Sequence, residues 1–211
     1  MPKSFEEIKE RMVADTRVAG RKTYNPVIVA LVGVSGVGNS TIASALHKRL
    51  GWPVVEKNNI RVMLRQKGRG FTPQKTNEIF YAMLEKILAG GGSAILDTDF
   101  VQREARRKLE KFARECHVRI VYLRLVCEED VTLERIVHSH HDPKTDIFPS
   151  TAVALREHMR RLLWHYSWSE SKGGKLTLRR LPVKFMAEID TEKSAVWQKK
   201  VRVAADRLKR M

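Results

Sequence analysis

The chain has 211 residues, 43% of them hydrophobic and 30% charged, which suits one globular domain with a sizeable core. No apolar run approaches the roughly 20 residues of a membrane-spanning helix, and the N-terminal residues mix both charge signs without the apolar stretch of a secretion signal. Forty Lys and Arg against 24 Asp and Glu leave a formal charge of +16, which favours polyanionic partners: nucleic acid or phosphorylated small molecules.

In chain order, Ser4 followed by Glu7 makes a capping-box pattern and predicts a helix to about residue 19. A polar connector over 20–26 leads to Val27-Ile28-Val29-Ala30-Leu31-Val32, a continuous apolar run of the kind found in strands buried on both faces. A glycine-bearing turn then gives way to a helix over 40–50, stopped by Gly51, and a short strand over 52–55. Residues 59–66 read as helix, 67–73 as a Gly- and Pro-marked loop, and 78–89 as an amphipathic helix stopped by Gly90-Gly91-Gly92. A third strand over 93–96 runs into Asp97-Thr98-Asp99. A basic helix over 102–115, a strand over 118–126 and a helix over 128–137 follow.

Residues 138–149 form a polar loop and 150–163 a helix, and the stretch 167–175 is expected to be exposed. A last strand over 183–189 and a helix over 194–209 complete the chain. Strands alternating with helices at these lengths predict a three-layer, doubly wound α/β fold with a mostly parallel five-stranded sheet. Residues 1–25 are expected to be a helix and connector outside the main domain, and 26–211 the domain itself, with a lid region near 138–165. The two cysteines, Cys116 and Cys127, give neither a disulfide framework nor a metal spacing, and are expected to be buried thiols in a reducing cytoplasm.

The turn after the first strand carries the chemistry. A phosphate-binding loop needs glycines so that consecutive backbone N–H groups can turn inward around phosphate oxygens, with a helix N-terminus adding its positive end. A Lys then reaches the β- and γ-phosphates, and a Ser or Thr hydroxyl coordinates Mg²⁺. Here Gly33, Val34, Ser35, Gly36, Val37, Gly38, Asn39, Ser40 and Thr41 follow a buried strand and open a helix, which is the context the pattern requires. Position 39, where the pattern has Lys, is Asn. Its neutral amide donates hydrogen bonds but neither neutralises phosphate charge nor reaches as far.

Three stretches together resemble one family: Gly33–Thr41, the Asn58-Asn59-Ile60-Arg61 stretch, and Ala94-Ile95-Leu96-Asp97 with Arg106 behind it. They are similar to the small P-loop kinases that comprise polynucleotide 5′-hydroxyl kinases, zeta-toxin-like kinases and related ATP-binding proteins. The order of elements agrees from about residue 26 to 190. The resemblance implies a P-loop NTPase fold of the nucleoside-monophosphate-kinase type, with ATP and Mg²⁺ as ligands and phosphoryl transfer to a hydroxyl-bearing acceptor. It implies that Ser40 and Asp97 sit at the metal, that Arg61 holds the acceptor's phosphate, and that Asn58 stands where the family has its base. Asn58 cannot take a proton, which leaves Asp99 as a substitute. The family's lid arginines have Arg135, Arg156, Arg160 and Arg161 as candidates, because 138–149 contains no Arg.

Two other groups stand out in the sequence. His138, His140 and His141 match no compact zinc spacing, and Trp164, Tyr166 and Trp168 could stack nucleic-acid bases or pack on the sheet. Two functions follow. One is an ATP-dependent phosphotransferase; the other is a catalytically silent nucleotide-binding module whose basic surface docks on nucleic acid or a protein, favoured by Asn39 and Asn58.

Overall fold

The computed structural model describes residues 4–18, 25–170 and 174–211. Its elements run α1 (Phe5–Asp15), β1 (Val27–Val32), α2 (Asn39–Leu50), β2 (Val54–Glu56), α3 (Lys57–Gln66), α4 (Pro73–Ala89), β3 (Ala94–Asp97), α5 (Arg103–Glu115), β4 (Arg119–Val126), α6 (Glu129–His138), α7 (Thr151–His165), β5 (Tyr166–Ser169), β6 (Lys175–Leu178), β7 (Phe185–Asp190) and α8 (Ser194–Lys209). Five strands form a sheet in the order β2-β3-β1-β4-β7, with every pair parallel. The expected α/β architecture is therefore present.

The central strand explains the layering. Successive side chains of a strand point to opposite faces. Ile28, Ala30 and Val32 accordingly enter a core with Ile60 of α3, Ile79, Phe80, Leu84 and Ile87 of α4, and Leu109 of α5. Val27, Val29 and Leu31 enter a second core with Ile42 and Leu46 of α2 and Val201, Ala205 and Leu208 of α8. All six β1 side chains are buried, and burying each Val, Ile or Leu stabilises the fold by about 1.5–3 kcal/mol.

Helix α1 begins with the predicted capping box, in which Ser4 Oγ accepts from Glu7 N–H at 3.1 Å and Glu7 Oε2 accepts from Ser4 N–H at 2.7 Å. It lies on α4: Ile8 joins the first core, and Lys86 Nζ donates to the carbonyls of Val13 and Ala14 at 2.8 and 2.7 Å. The helix ends at Asp15 rather than about residue 19, and residues 19–24, which take in most of the expected connector, lie outside the described residues.

Several boundaries differ from expectation. Helix α4 starts at Pro73 rather than 78, because Thr72 caps it by accepting from Lys75 N–H at 3.2 Å and Pro73 supplies a preset φ at its first position. The stretch around 167–175 is no simple exposed loop. β5 and β6 pair antiparallel, with Trp168 opposite Leu176, although Trp168 itself remains 61% exposed. Both cysteines are half-buried rather than buried. Among the described residues, no helix is long and apolar enough to cross a membrane.

Candidate active site

β1 delivers the chain to Gly33 at the carboxyl edge of the sheet, where open parallel sheets bind ligands. Val34 and Val37 turn into the second core and pin the loop from below. Gly36 at φ 86° and Gly38 at φ 100° adopt the left-handed conformation that side-chain-bearing residues avoid. Gly36 also has no room for a side chain, since an added Cβ would lie 2.9 Å from both Thr132 O and Ile136 Cδ1 of α6. No side chain caps the N-terminus of α2, so its first-turn N–H groups are open to an anion.

Three further contacts hold the loop. Thr191, just after β7, donates its hydroxyl to Val37 O at 2.6 Å. Arg135 of α6 reaches the same residue, with Nη2 donating to Thr191 O at 2.7 Å and Nη1 to Thr191 Oγ1 at 3.2 Å. From α7, the fully buried His158 donates Nδ1–H to Ser35 O at 2.8 Å, which leaves Nε2 without a partner among the described residues. Arg135 is thus a brace between the loop and the end of β7 as well as a cavity-lining cation.

Asn39 does not project toward a ligand. Its Nδ2 donates back to Gly33 O at 2.9 Å and Val34 O at 3.3 Å, and its Oδ1 is buried without a partner. The amide spans the inside of its own loop.

Above the loop lies a cavity of about 660 Å³. It gathers Gly33, Ser35, Gly36, Gly38, Asn39, Ser40 and Thr41 with Asn58, Arg61, Asp97, Asp99, Arg135, Arg160 and Arg161. Val34 and Val37 are beneath it rather than in it, and Arg156 is not part of its wall. A somewhat larger concavity, about 750 Å³, has Glu128, Glu129, Asp130, Asp190 and Glu192 on its wall against one cation, Lys175. That carboxylate wall repels an anionic ligand, so the smaller cavity is the site.

Asp97 ends β3 beside Ser40 and is 8% exposed. Burial pushes its carboxyl above the usual range, and hydrogen bonding from Ser40 opposes the rise. The pair offers hard oxygen donors, the ligand type that suits Mg²⁺. Asp99 is differently occupied. Its Oδ2 meets His165 Nε2 at 2.9 Å and its Oδ1 accepts from Val101 N–H at 3.0 Å, so it caps the turn before α5 and holds His165, with each oxygen already engaged once. Arg61 donates to Asn58 Oδ1 at 3.2 Å. Arg106 is buried, donating to the carbonyls of Phe100 and Val101, and so braces the turn behind Asp99.

Arg160 and Arg161 share Glu157, at 2.7 and 2.5 Å, and both lie over the Trp164 ring. The loop between α6 and α7 closes one side of the cavity with Ser139 and Phe148. It docks on α3 through Arg65 to Asp146 O at 2.5 Å and Gln66 to Lys144 O at 2.9 Å. Among the described residues no three His, Cys, Asp or Glu side chains gather as a metal cluster; His138 and His141 bond instead to carbonyls of α6.

Sequence reasoning missed Glu56, Lys57, His158, His165 and Thr191. The helix read over 59–66 starts at Lys57, which places Lys57 in the cavity wall. The two histidines share one face of α7 with Ala154 and Leu162, all buried. Their helical spacing was the available signal.

A family profile described as an AAA domain matches residues 28–161, from β1 into α7. The chain belongs to this family. The matched span of the AAA domain holds the phosphate loop, Arg61, Asp97, Asp99, Arg135, Arg160 and Arg161. A 2-phosphoglycerate kinase of Methanocaldococcus jannaschii is 35% identical over 65 residues, which is 30% of this chain and 20% of that protein. The match therefore spans about a fifth of that relative's length.

Among solved structures, a candidate kinase of Chloroflexus aurantiacus superposes with a TM-score of 0.61 at 18% identity, covering 88% of this chain and 98% of that one. The APS kinase of Mycobacterium tuberculosis, solved with AMPPNP and APS, superposes with a TM-score of 0.54 at 15% identity, covering 87% and 98%. At such identities the likeness is one of fold, and the fold is that of the P-loop kinases.

Proposed function

We propose that this AAA-domain protein transfers the γ-phosphoryl group of ATP to a hydroxyl of a small acceptor. The observation that carries the proposal is the single cavity in which the glycine cradle, the Ser40–Asp97 pair and the cations Arg61, Arg135, Arg160 and Arg161 converge. Phosphoryl transfer rests on positioning and charge stabilisation, and these are the groups it uses. Ser40 and Asp97 would hold Mg²⁺, which neutralises phosphate charge when bound. The backbone N–H groups at the start of α2 would receive the β-phosphate, Arg135 would steady the loop beneath it, and Arg61 would orient the acceptor. The acceptor's proton would pass to Asp97, to Asp99 or to solvent, since Asn58 cannot take it and Asp99 keeps lone pairs beside its bonds to His165 and Val101.

Within the P-loop kinases, the Asn58–Arg61 stretch and Asp97 point to the polynucleotide 5′-hydroxyl and zeta-toxin-like group. The name of the M. jannaschii relative makes 2-phosphoglycerate the first acceptor to test. The test is calorimetric titration with Mg·ATP at fixed salt, then transfer of labelled γ-phosphate to 2-phosphoglycerate and to a 5′-hydroxyl oligonucleotide. Saturable one-to-one binding with transfer to either is the expected result. A flat titration would remove the proposal.

A second reading is favoured by Asn39, whose neutral amide is bonded back to its own loop. The protein would then bind nucleotide without transferring phosphate, and its charge of +16 would serve a nucleic-acid or protein partner. Binding without transfer to any acceptor would select it.

A further inference from the structure

Lys57 opens α3 directly after the edge strand β2 and lines the same cavity as the phosphate loop. Its ammonium lies 4.7 Å from the centre of the Phe80 ring and 5.9 Å from that of Phe100, and no carboxylate or carbonyl in the described residues accepts a hydrogen bond from it. Every other charged group discussed on this cavity wall has a polar partner. Arg135 has Thr191, Arg160 and Arg161 have Glu157, Asp99 has His165, and Asp97 has Ser40. Arg61 bonds only the neutral Asn58 amide. One glutamate answers two arginines, so the α3–α7 side of the cavity carries unbalanced positive charge centred on Lys57 and Arg61.

An ammonium half-buried against aromatic rings is a costly arrangement unless an anion completes it. Lys57 and Arg61 sit on the far side of Asp97 from α2, across β3 in the strand order β2-β3-β1. That is the acceptor's side of the cavity, not the nucleotide's. We propose that Lys57, with Arg61, anchors a phosphate-monoester dianion of the acceptor, so that the substrate is a phosphorylated hydroxy compound. The inference rests on the kinase reading above and narrows its acceptor class.

Lys57 also gives the proposal a pH signature. Burial, then the repulsion of Arg61 on its own helix and Lys108 on α5, pulls its pKa down to about 8. From α4 and the turn after β3 it meets aromatic rings, and the other charged groups on the cavity wall are Asp97, Asp99, Arg135, Arg160 and Arg161. The ammonium therefore loses its charge as pH rises through about 8, whereas the arginines keep theirs.

The probe is sulfate, which stays a dianion throughout this range, titrated into protein saturated with Mg·AMPPNP so that the phosphate loop is filled. Wild type should bind one sulfate, with affinity falling toward about tenfold per pH unit above pH 8. Lys57→Met, which keeps the stem packed on Phe80, should weaken sulfate at least about tenfold near pH 7 and leave Mg·AMPPNP affinity unchanged. Lys57→Arg should retain sulfate and lose the pH dependence. The proposal is overturned if Lys57→Met binds sulfate as wild type does, if wild type binds none or shows no pH dependence, or if Lys57→Met weakens the nucleotide equally. Failure of wild type to bind Mg·AMPPNP would instead sink the kinase reading, and the same sulfate titrations on the free protein would still decide the role of Lys57.

Discussion

Replacing Asn39 by Lys restores the charge that the phosphate loop lacks, and the structure sets what this should cost and gain. The wild-type amide donates to Gly33 O at 2.9 Å and Val34 O at 3.3 Å. Losing these two neutral bonds costs about 1 kcal/mol each. Against that stands Asn39 Oδ1, buried without a partner. Removing such an oxygen recovers about 1–3 kcal/mol. The two terms nearly cancel, so the melting temperature of Asn39→Lys should move by no more than about 4 °C. The gain appears only with ligand: a charge-assisted hydrogen bond to phosphate contributes about 1.5–3 kcal/mol, or roughly 10–100-fold in Kd. Calorimetric titration with Mg·ATP, beside a thermal unfolding curve, measures both. Unchanged or weaker nucleotide binding in a variant that melts normally would refute the idea that position 39 faces the phosphates once freed from its own loop.

Other substitutions test the frame around the site. Gly36→Ala should destabilise by about 2 kcal/mol or more, because a left-handed φ of 86° and a backbone oxygen 2.9 Å away both resist a Cβ; a melting temperature equal to wild type would contradict the α6 contact. Asp99→Ala should cost about 2–4 kcal/mol in chemical denaturation by stranding His165 and the Val101 N–H, whereas Asp99→Asn should cost less and leave Mg·ATP affinity near wild type; a large loss of affinity in the Asn variant would give Asp99 a direct role. Glu56, level with Asp97 across β2 and β3, is pushed up from 4.5 to about 7 by burial and by Asp97. Its raised pKa means that the fold loses stability as pH climbs through that interval, because the unfolded chain ionises first. Glu56→Gln, which can still accept from Asn59, should therefore stabilise more at about pH 8 than at about pH 5, and an equal effect at both would be the wrong outcome.

What could be read from the sequence was whatever local periodicity or steric need dictates. β1 and α8 have the expected bounds, because a six-residue apolar run and a face carrying Val201, Ala205 and Leu208 admit one solution each. The glycine loop was legible for the same reason, since Gly36 and Gly38 satisfy conformations that other residues resist. The hairpin of β5 and β6 was not, as Tyr166–Ser169 and Lys175–Leu178 are short and gain their order from pairing with each other. The partners in the site were the least legible. Asp99 read as a substitute base because its sequence neighbours are known, while His165 reaches it from 66 positions away. Lys57 escaped notice because a single residue at a helix start carries no periodic signal, and only the burial supplied by Phe80 and Phe100 makes its charge unusual.

The cradle and the chemistry have separate physical supports. The loop's shape depends on Gly36, Gly38, the buried Val34 and Val37, and the ties from Thr191, Arg135 and His158 to its carbonyls or to one another. None of these involves the side chain that the pattern would supply at position 39, so Asn can stand there and even tie the loop to itself. Positive charge in the cavity, in contrast, comes from side chains that need only reach it. Lys57 and Arg61 come from α3, Arg135 from α6 and Arg160 and Arg161 from α7. A field of that kind tolerates the loss of one member if others approach from a different element, because electrostatic stabilisation depends on distance and dielectric rather than on which strand supplies the charge. The cation missing from the loop is thus a reason to expect altered placement of charge around the phosphates, and sulfate binding in Lys57→Met and nucleotide binding in Asn39→Lys read the two positions independently.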